Sequence, residues 1–416
     1  MAPGSADTTI ETASADPARW WLLAGVWLLY AGFGLIATSL APLVAPIELE
    51  LRISHTAMGS IMGAWQLVYI FSAVPAGRLL DRMRSRDALL IGALLLSLSA
   101  FGRSVADGYW AFLFAVMVFG LGGPIVSSGA PKVISEWFVG RERGLAMGIY
   151  MTGPALGGVV SLTLTHPLLL PAFDGDWRDV YRLWAVVMLF AGAIWWLIAA
   201  WHRRQTDEGP AAAAAEPGLS VRDLIRLPGV GLVLAMSVGV FLYNHGLNNW
   251  LPELLRASGM TASVAGYWAA LPTVVGIAGS LLIPRLATPE RRFRIMFWLA
   301  LAAAGASLLL QFSSGAPLAV GLVLQGIARS SMMTVLILTL VELPGIGQRY
   351  AGSASGLFFS AAEVGGVLGP LGLGLAFDLT GGFGLGLGVL TGVACALAFA
   401  VLRLARIATG PNPSAA

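Results

Sequence analysis

A few polar side chains set inside long apolar runs could hold and release a charged solute. Arg329 stands within the run 316–343 and Glu363 within the run 350–376. An arginine near the middle of a bilayer costs roughly 2.5–3.5 kcal/mol or more, so it must face water, a partner or a bound anion. At the α-helical rise, Arg329 lies about 22 Å from the end of its run and Glu363 about 18 Å from the start of its own. A guanidinium binds carboxylates through a planar fork of N–H donors. A carboxyl group at similar depth can load and release a proton. When ionised it can neutralise Arg329, and when protonated it leaves the guanidinium to an anion, so the two ligands would load together. A static salt bridge is the alternative.

Asn244 and Asn248 lie four residues apart and share one helix face. Their amides could bind the same solute or join helices. Tyr243 belongs with them as a substrate contact, and His245 reads as structural. Gln66 is placed with the substrate-binding residues; Tyr30, Tyr267 and Trp268 either line a cavity or simply pack. Lys132 can snorkel toward the membrane surface.

These residues need helices to carry them. The chain has 416 residues, 57% hydrophobic and 11% charged, with mean hydropathy +0.79. Soluble domains carry about 25% charged residues, so a water-soluble fold is excluded. A membrane span needs about 20 apolar residues. Twelve candidates occur, at approximately 20–45, 57–80, 88–106, 109–136, 144–171, 182–201, 230–254, 262–285, 294–312, 316–343, 350–376 and 383–404. The expected organisation is an all-α membrane protein: a disordered cytoplasmic tail 1–19, a six-helix bundle 20–201, a cytoplasmic linker 202–228, a second six-helix bundle 229–404 and a tail 405–416. The linker holds a low-complexity Pro/Ala core and a short surface helix from Ser220 to Arg226.

Charge sets direction. With the N-terminus in the cytoplasm, 18 of the 25 Lys and Arg fall on the cytoplasmic side, and the positive-inside rule then places both termini there. The densest group is the turn Gly77–Arg86, with four arginines and Asp81. The one cysteine, Cys395, and four scattered histidines supply no disulfide framework or metal site. No GxxxxGK[ST] phosphate loop occurs, which argues against direct ATP drive. No cofactor and no nucleic-acid partner are expected.

The halves repeat. At a shift of 206, Gly120 meets Gly326, Glu136 meets Glu342 and Arg143 meets Arg349; two residues later in register, Gly157-Gly158 meets Gly365-Gly366. Repeated bundles imply a midplane site and alternating access.

Together these features resemble the major facilitator superfamily. The 77–86 turn looks like its loop between helices two and three, and Gly153-Pro154-Ala155-Leu156-Gly157-Gly158 looks like its GPxxGG fifth-helix motif. Trp177-Arg178 resembles a pair found between helices five and six. The resemblance implies twelve transmembrane helices in two pseudo-symmetric six-helix bundles, acting as a monomer among membrane lipids. It implies gating by Gly77, Asp81, Arg82, Glu136, Arg143, Glu342 and Arg349. The two glutamates would pair with the loop arginines Arg78, Arg82 or Arg143. Gly153, Pro154, Gly157 and Gly158 would permit helix bending and close contact. Pro131-Lys132, Trp137-Phe138 and Arg143-Gly144, with Asn249-Trp250-Leu251-Pro252, are similar to cyanate- and nitrate-type porters of small anions. Nitrate porters carry an arginine in helix two, where Trp65-Gln66 stands here.

The sequence thus supports a secondary active transporter of a small organic or inorganic anion, coupled to protons through Glu363, in a bacterial inner membrane. An organic-cation or drug porter is the alternative, with Glu363 as counter-ion and Trp250, Tyr267 and Trp268 as a cage. A non-transporting membrane sensor is a third reading. The charge asymmetry makes a direct prediction: a cysteine at Ala213, in a Cys395→Ala background, resists an impermeant thiol reagent in intact cells. Ready labelling from outside would overturn the topology.

Overall fold

Apolar runs of this length satisfy their backbone hydrogen bonds within a bilayer only as helices, and the computed structural model is all-helical. It describes the backbone of residues 19–201, 221–312, 314–343 and 346–409. All of the expected tail 1–19 but Arg19, most of the linker 202–228 and the end of the tail 405–416 lie outside the described residues. So do the side chains of Arg141 and Arg349.

The helices are α1 (Arg19–Thr38), the short α2 (Val44–Leu51), α3 (His55–Arg82), α4 (Ser85–Ser104), α5 (Tyr109–Trp137), α6 (Gly140–Leu164) and α7 (Trp177–Trp201). They continue as α8 (Val221–Arg226), α9 (Val230–Ala257), α10 (Ala262–Leu286), α11 (Arg292–Leu309), α12 (Gly315–Val341), α13 (Gly347–Thr380) and α14 (Gly384–Thr409). Twelve helical segments among the described residues are long and apolar enough to span a membrane. The chain is therefore an integral, multi-pass membrane protein.

Three boundaries differ from the hydropathy reading. The basic stretch at 77–86 is mostly helical: α3 runs on through Arg82, and only Met83 and Arg84 break the helix before α4. Charged residues do not stop a helix that has left the apolar layer; they only stop the hydropathy signal. The first run breaks after Thr38, passes through a single 3₁₀ turn at Ala41–Leu43 and continues as α2. The fifth run ends in a π turn, Thr165–Leu169, where the Thr165 hydroxyl donates to Ser161 O at 2.6 Å.

Packing divides the chain into two units: residues 1–43 with 71–212, and residues 44–70 with 213–416. α3 thus contributes its first part to the second unit and its last part to the first. Inside the first unit α1 packs on α6 and α7, while α4 packs on α5 and α7. Inside the second, α9 packs on α13 and α14, while α11 packs on α12 and α14. The same pairing scheme occurs twice, as the sequence repeat requires. The second unit's core includes Met296, Val335, Leu336 and Phe358, all fully buried.

Glycine makes the central pairings possible. A Cβ on Gly157 would lie 2.0 Å from Ala31 O, so α6 meets α1 backbone to backbone. A Cβ on Gly365 would lie 2.0 Å from Val238 O, which sets the same contact between α13 and α9. Small residues allow this approach, and dispersion across it joins helices where lipid offers no hydrophobic drive. Gly77, by contrast, has nothing within 4 Å of its Cβ position.

This packing predicts that Gly157→Ala and Gly365→Ala each lower thermal stability in detergent, by about 1–3 kcal/mol as expected for overpacking. Gly148→Ala, where a Cβ meets nothing within 4 Å, should be neutral or slightly stabilising because alanine favours the helix. Equal melting temperatures for all three variants would show that backbone contact does not limit stability.

Candidate functional site

The candidate site is built inside the second unit, and Arg329 is its charge. Arg329 sits near the middle of α12 and is part-buried. Its Nη1 donates to Asn248 Oδ1 on α9. One turn along α9, Asn244 Nδ2 donates to Arg329 O at 3.5 Å. The two asparagines therefore do share a face, and it is the face turned to Arg329. Among the described residues no carboxylate forms an ion pair with this guanidinium. The alternative reading, a static Arg329–Glu363 salt bridge, does not occur among the described residues: Arg329 turns to α9, and Glu363 lies beside Gln66 of α3 at Gly366.

Glu363 is 6% exposed, near the middle of α13, and its Oε2 has no hydrogen-bond partner among the described residues. It meets Gln66 at Gly366. A Cβ on Gly366 would lie 2.7 Å from Glu363 Oε2 and 3.1 Å from Gln66 Cγ. The glycine doublet thus divides its work, Gly365 admitting α9 and Gly366 leaving room for these two side chains. Gln66 is fully buried, and its Nε2 lies 3.2 Å from His245 Nδ1, while its Oε1 is unpartnered. His245 also packs edge-on against Trp65, with ring centroids 6.0 Å apart. It is the neighbour of Asn244 in sequence, so α9 carries both groups of polar contacts. Gln66, expected to contact substrate, is buried beside His245.

Tyr243 was the third residue expected beside the asparagines. It is buried, and its hydroxyl donates to Ala303 O at 2.7 Å, which fastens α9 to α11. A small apolar cavity of about 10 Å³ adjoins it, lined in part by Asn244, Ala328 and Met332. Its lining offers a charged solute little. Trp250 is fully buried, donates to Pro370 O at 2.8 Å and stacks on His55. Tyr267 is exposed on α10. These two aromatics therefore do not form a cage.

The expected gating residues fall in several settings. Asp81 and Arg82 are exposed on the last turn of α3. Glu136 accepts from the Ser85 hydroxyl at 3.4 Å and does not form an ion pair with Arg78, Arg82 or Arg143 among the described residues. Arg143 is occupied otherwise: its Nε donates to Phe138 O at 2.8 Å and its Nη2 to Ser135 O at 2.9 Å, closing the C-terminal end of α5. Free carbonyls at a helix end attract cations, which explains this choice over Glu136. Lys132 donates to Leu80 O rather than reaching the surface. Glu342 pairs with Arg292, the first residue of α11, and not with Arg78, Arg82 or Arg143 among the described residues. Nearby Glu290, outside the spans, is held below the usual carboxylate range by a hydrogen bond from Thr288, aided by Arg291 and Arg292.

Two features escaped the sequence reading. Arg103, at the end of the apolar run 88–106, is 1% exposed; its Nη1 donates to Ile36 O at 3.2 Å, where α1 ends, and it lies over Phe119 and Tyr181. A charge at the edge of an apolar run looks like a loop residue in one dimension. The second is a cluster at the start of α3. Asp378 accepts from His55 N at 3.2 Å, Thr56 N at 2.8 Å and Thr56 Oγ1 at 2.6 Å, so a carboxylate from α13 caps α3. Glu253, 4% exposed, holds Arg256 through two hydrogen bonds of 2.6 and 2.8 Å.

Residues 26–370 match the Major Facilitator Superfamily, and the chain belongs to it. It is a transport protein rather than an enzyme. It is 24% identical over 363 residues to the uncharacterized transporter YycB of Bacillus subtilis (strain 168), covering 86% of this chain and 87% of that one. It is 24% identical over 380 residues to the hexuronate transporter of the same organism, covering 86% and 88%. Relatives named for L-galactonate and galactarate/D-glucarate in Escherichia coli (strain K12), and for tartrate in Agrobacterium vitis, are 24–27% identical over 57–86% of this chain. A quinolone resistance transporter of Acinetobacter baumannii is 24% identical over 377 residues, covering 81% and 82%. Among solved structures, nucleoside transporter NupG superposes with TM-score 0.78 at 13% identity, covering 93% of this chain and 99% of that one. That likeness concerns the fold.

Proposed function

We propose that this protein is a secondary active carrier of a small organic carboxylate, working by alternating access and coupled to protons. The observation that carries the reading is Arg329, a mid-helix guanidinium held by an amide and not neutralised by any described carboxylate. A guanidinium so placed has donors to spare for a carboxylate. Asn244 and Asn248 supply amides on the facing helix. Hexuronate, galactonate, glucarate and tartrate, the solutes named for the relatives, are all hydroxylated carboxylates, and they widen the reading beyond cyanate- and nitrate-type anions. Glu363 is the coupling group: protonation removes a negative charge from the same unit, so anion binding strengthens as pH falls. The protein sits in a bacterial inner membrane with both termini cytoplasmic, as the arginine distribution favours.

The quinolone-resistance relative favours a drug-carrier reading. The burial of Trp250 and the positive charge of Arg329 both weigh against a cation as cargo.

Proteoliposome uptake of radiolabelled D-galacturonate tests the proposal. Wild type is expected to accumulate it on an inward proton gradient. Arg329→Ala should lower affinity about 10- to 100-fold, the equivalent of about 1.5–3 kcal/mol for a hydrogen bond to a charged group. Arg329→Lys should fall between them, because it keeps charge and loses the fork. Glu363→Gln should retain exchange and lose gradient-driven accumulation. Wild-type transport by Arg329→Ala would eliminate the anion site, and accumulation by Glu363→Gln would place the coupling proton elsewhere.

A further inference from the structure

A buried carboxyl and a buried amide side chain lie side by side at Gly366, where a Cβ would sit 2.7 Å from Glu363 Oε2 and 3.1 Å from Gln66 Cγ. Glu363 Oε2 and Gln66 Oε1 each lack a hydrogen-bond partner among the described residues. Buried acceptors left unpaired are costly, so these two neighbouring groups ask for a proton. A protonated Glu363 supplies it, donating Oε2–H to Gln66 Oε1. The amide then has its Nε2 left to donate to His245 Nδ1, the contact observed at 3.2 Å. In that arrangement His245 must accept at Nδ1 and carry its proton on Nε2.

Ionising Glu363 reverses every bond in the row. The carboxylate now needs a donor, and the nearby amide can offer only its Nε2. Half a turn of the amide brings Nε2 to Glu363 and Oε1 to His245. The ring must then donate from Nδ1, and it becomes the other tautomer. No proton crosses the amide; its orientation alone carries the information.

We propose that Gln66 is a positioning residue for coupling: its amide turns over with the protonation of Glu363 and sets the tautomer of His245. The inference rests on the reading of Glu363 as the coupling group. It adds how that group reaches the anion site. His245 lies on α9 beside Asn244, and its carbonyl accepts from Asn249 Nδ2 at 2.8 Å. Arg329 is tied to the same helix through Asn248 and Asn244. The relay therefore ends on the helix that holds the guanidinium.

The surrounding charges are few. Of the helices packed on α13, α9 presents His245 and Tyr243, α12 presents Arg329, and α3 presents Tyr69 one turn from Gln66. α14 carries Cys395, with Arg403 and Arg406 toward its end. His55, paired with Glu48, lies at Asp378, about four turns along α13 from Glu363, and Glu253 holds Arg256 on α9.

Nitrogen NMR of full-length, histidine-labelled protein in nanodiscs reads the ring directly, with His55, His166 and His202 assigned by substitution. In wild type, His245 is expected to pass from the Nδ1–H to the Nε2–H tautomer as pH is lowered. Glu363→Gln offers a permanent donor to Gln66 Oε1, so it should hold the Nε2–H form at every pH. Gln66→Met keeps the volume and removes the amide, and the pH-dependent change should vanish. Gly366→Ala keeps both polar groups but crowds Glu363 Oε2 and should lose the change as well. A wild-type tautomer indifferent to pH, or one that still switches in Glu363→Gln, overturns the relay. Because the readout is a tautomer and not uptake, switching in a protein that accumulates nothing on a pH gradient would sink the transport reading and leave the relay standing.

Discussion

Everything in the second unit is arranged around one unneutralised guanidinium in an apolar setting. A membrane protein keeps such a group only where something compensates it. Here the compensation is an amide from α9, and no described carboxylate joins it. An amide dipole stabilises the cation and leaves its net charge in place. A carboxylate at the same position would have cancelled that charge and closed the site to an anion. The difference between Asn248 and an acid at this contact is the difference between a binding site and a structural salt bridge.

Holding Arg329 against α9 requires the helices to be close and fixed. Lipid gives no hydrophobic reason for helices to associate, so shape must provide the attraction. The backbone contacts at Gly157 and Gly365 do so in the two units in turn, which gives the glycine doublets of the internal repeat their role. In the second unit the doublet has a further task. Gly366 leaves room for Glu363 and Gln66, so the doublet that lets α13 approach α9 also shapes the polar node.

The helices were legible in the sequence because hydropathy and helical length are one-dimensional properties. Arg329 and Glu363 were legible for the same reason: each is a charge interrupting an apolar run. What could not be read was direction. Depth along two helices suggested that Arg329 and Glu363 meet, whereas the faces they occupy on α12 and α13 send one to α9 and the other to α3. The pairing of Gln66 with His245 joins residues far apart in sequence, and no periodicity reports it. Arg103 shows the reverse error, since the end of an apolar run looks wet until Ile36, Phe119 and Tyr181 are placed around it. Arg143 was assigned to a glutamate by charge alone, and the carbonyls ending α5 proved the nearer claim.

The central claim is that the charge of Arg329 is kept for a carboxylate. Isothermal titration of the purified protein with D-galacturonate and with D-galactose, its uncharged counterpart, tests it most directly. The account predicts saturable heat for the carboxylate, tightening as pH is lowered, with none for the neutral sugar, and loss of the signal in Arg329→Ala. Equal binding of both sugars, or unchanged carboxylate binding without the guanidinium, would contradict it.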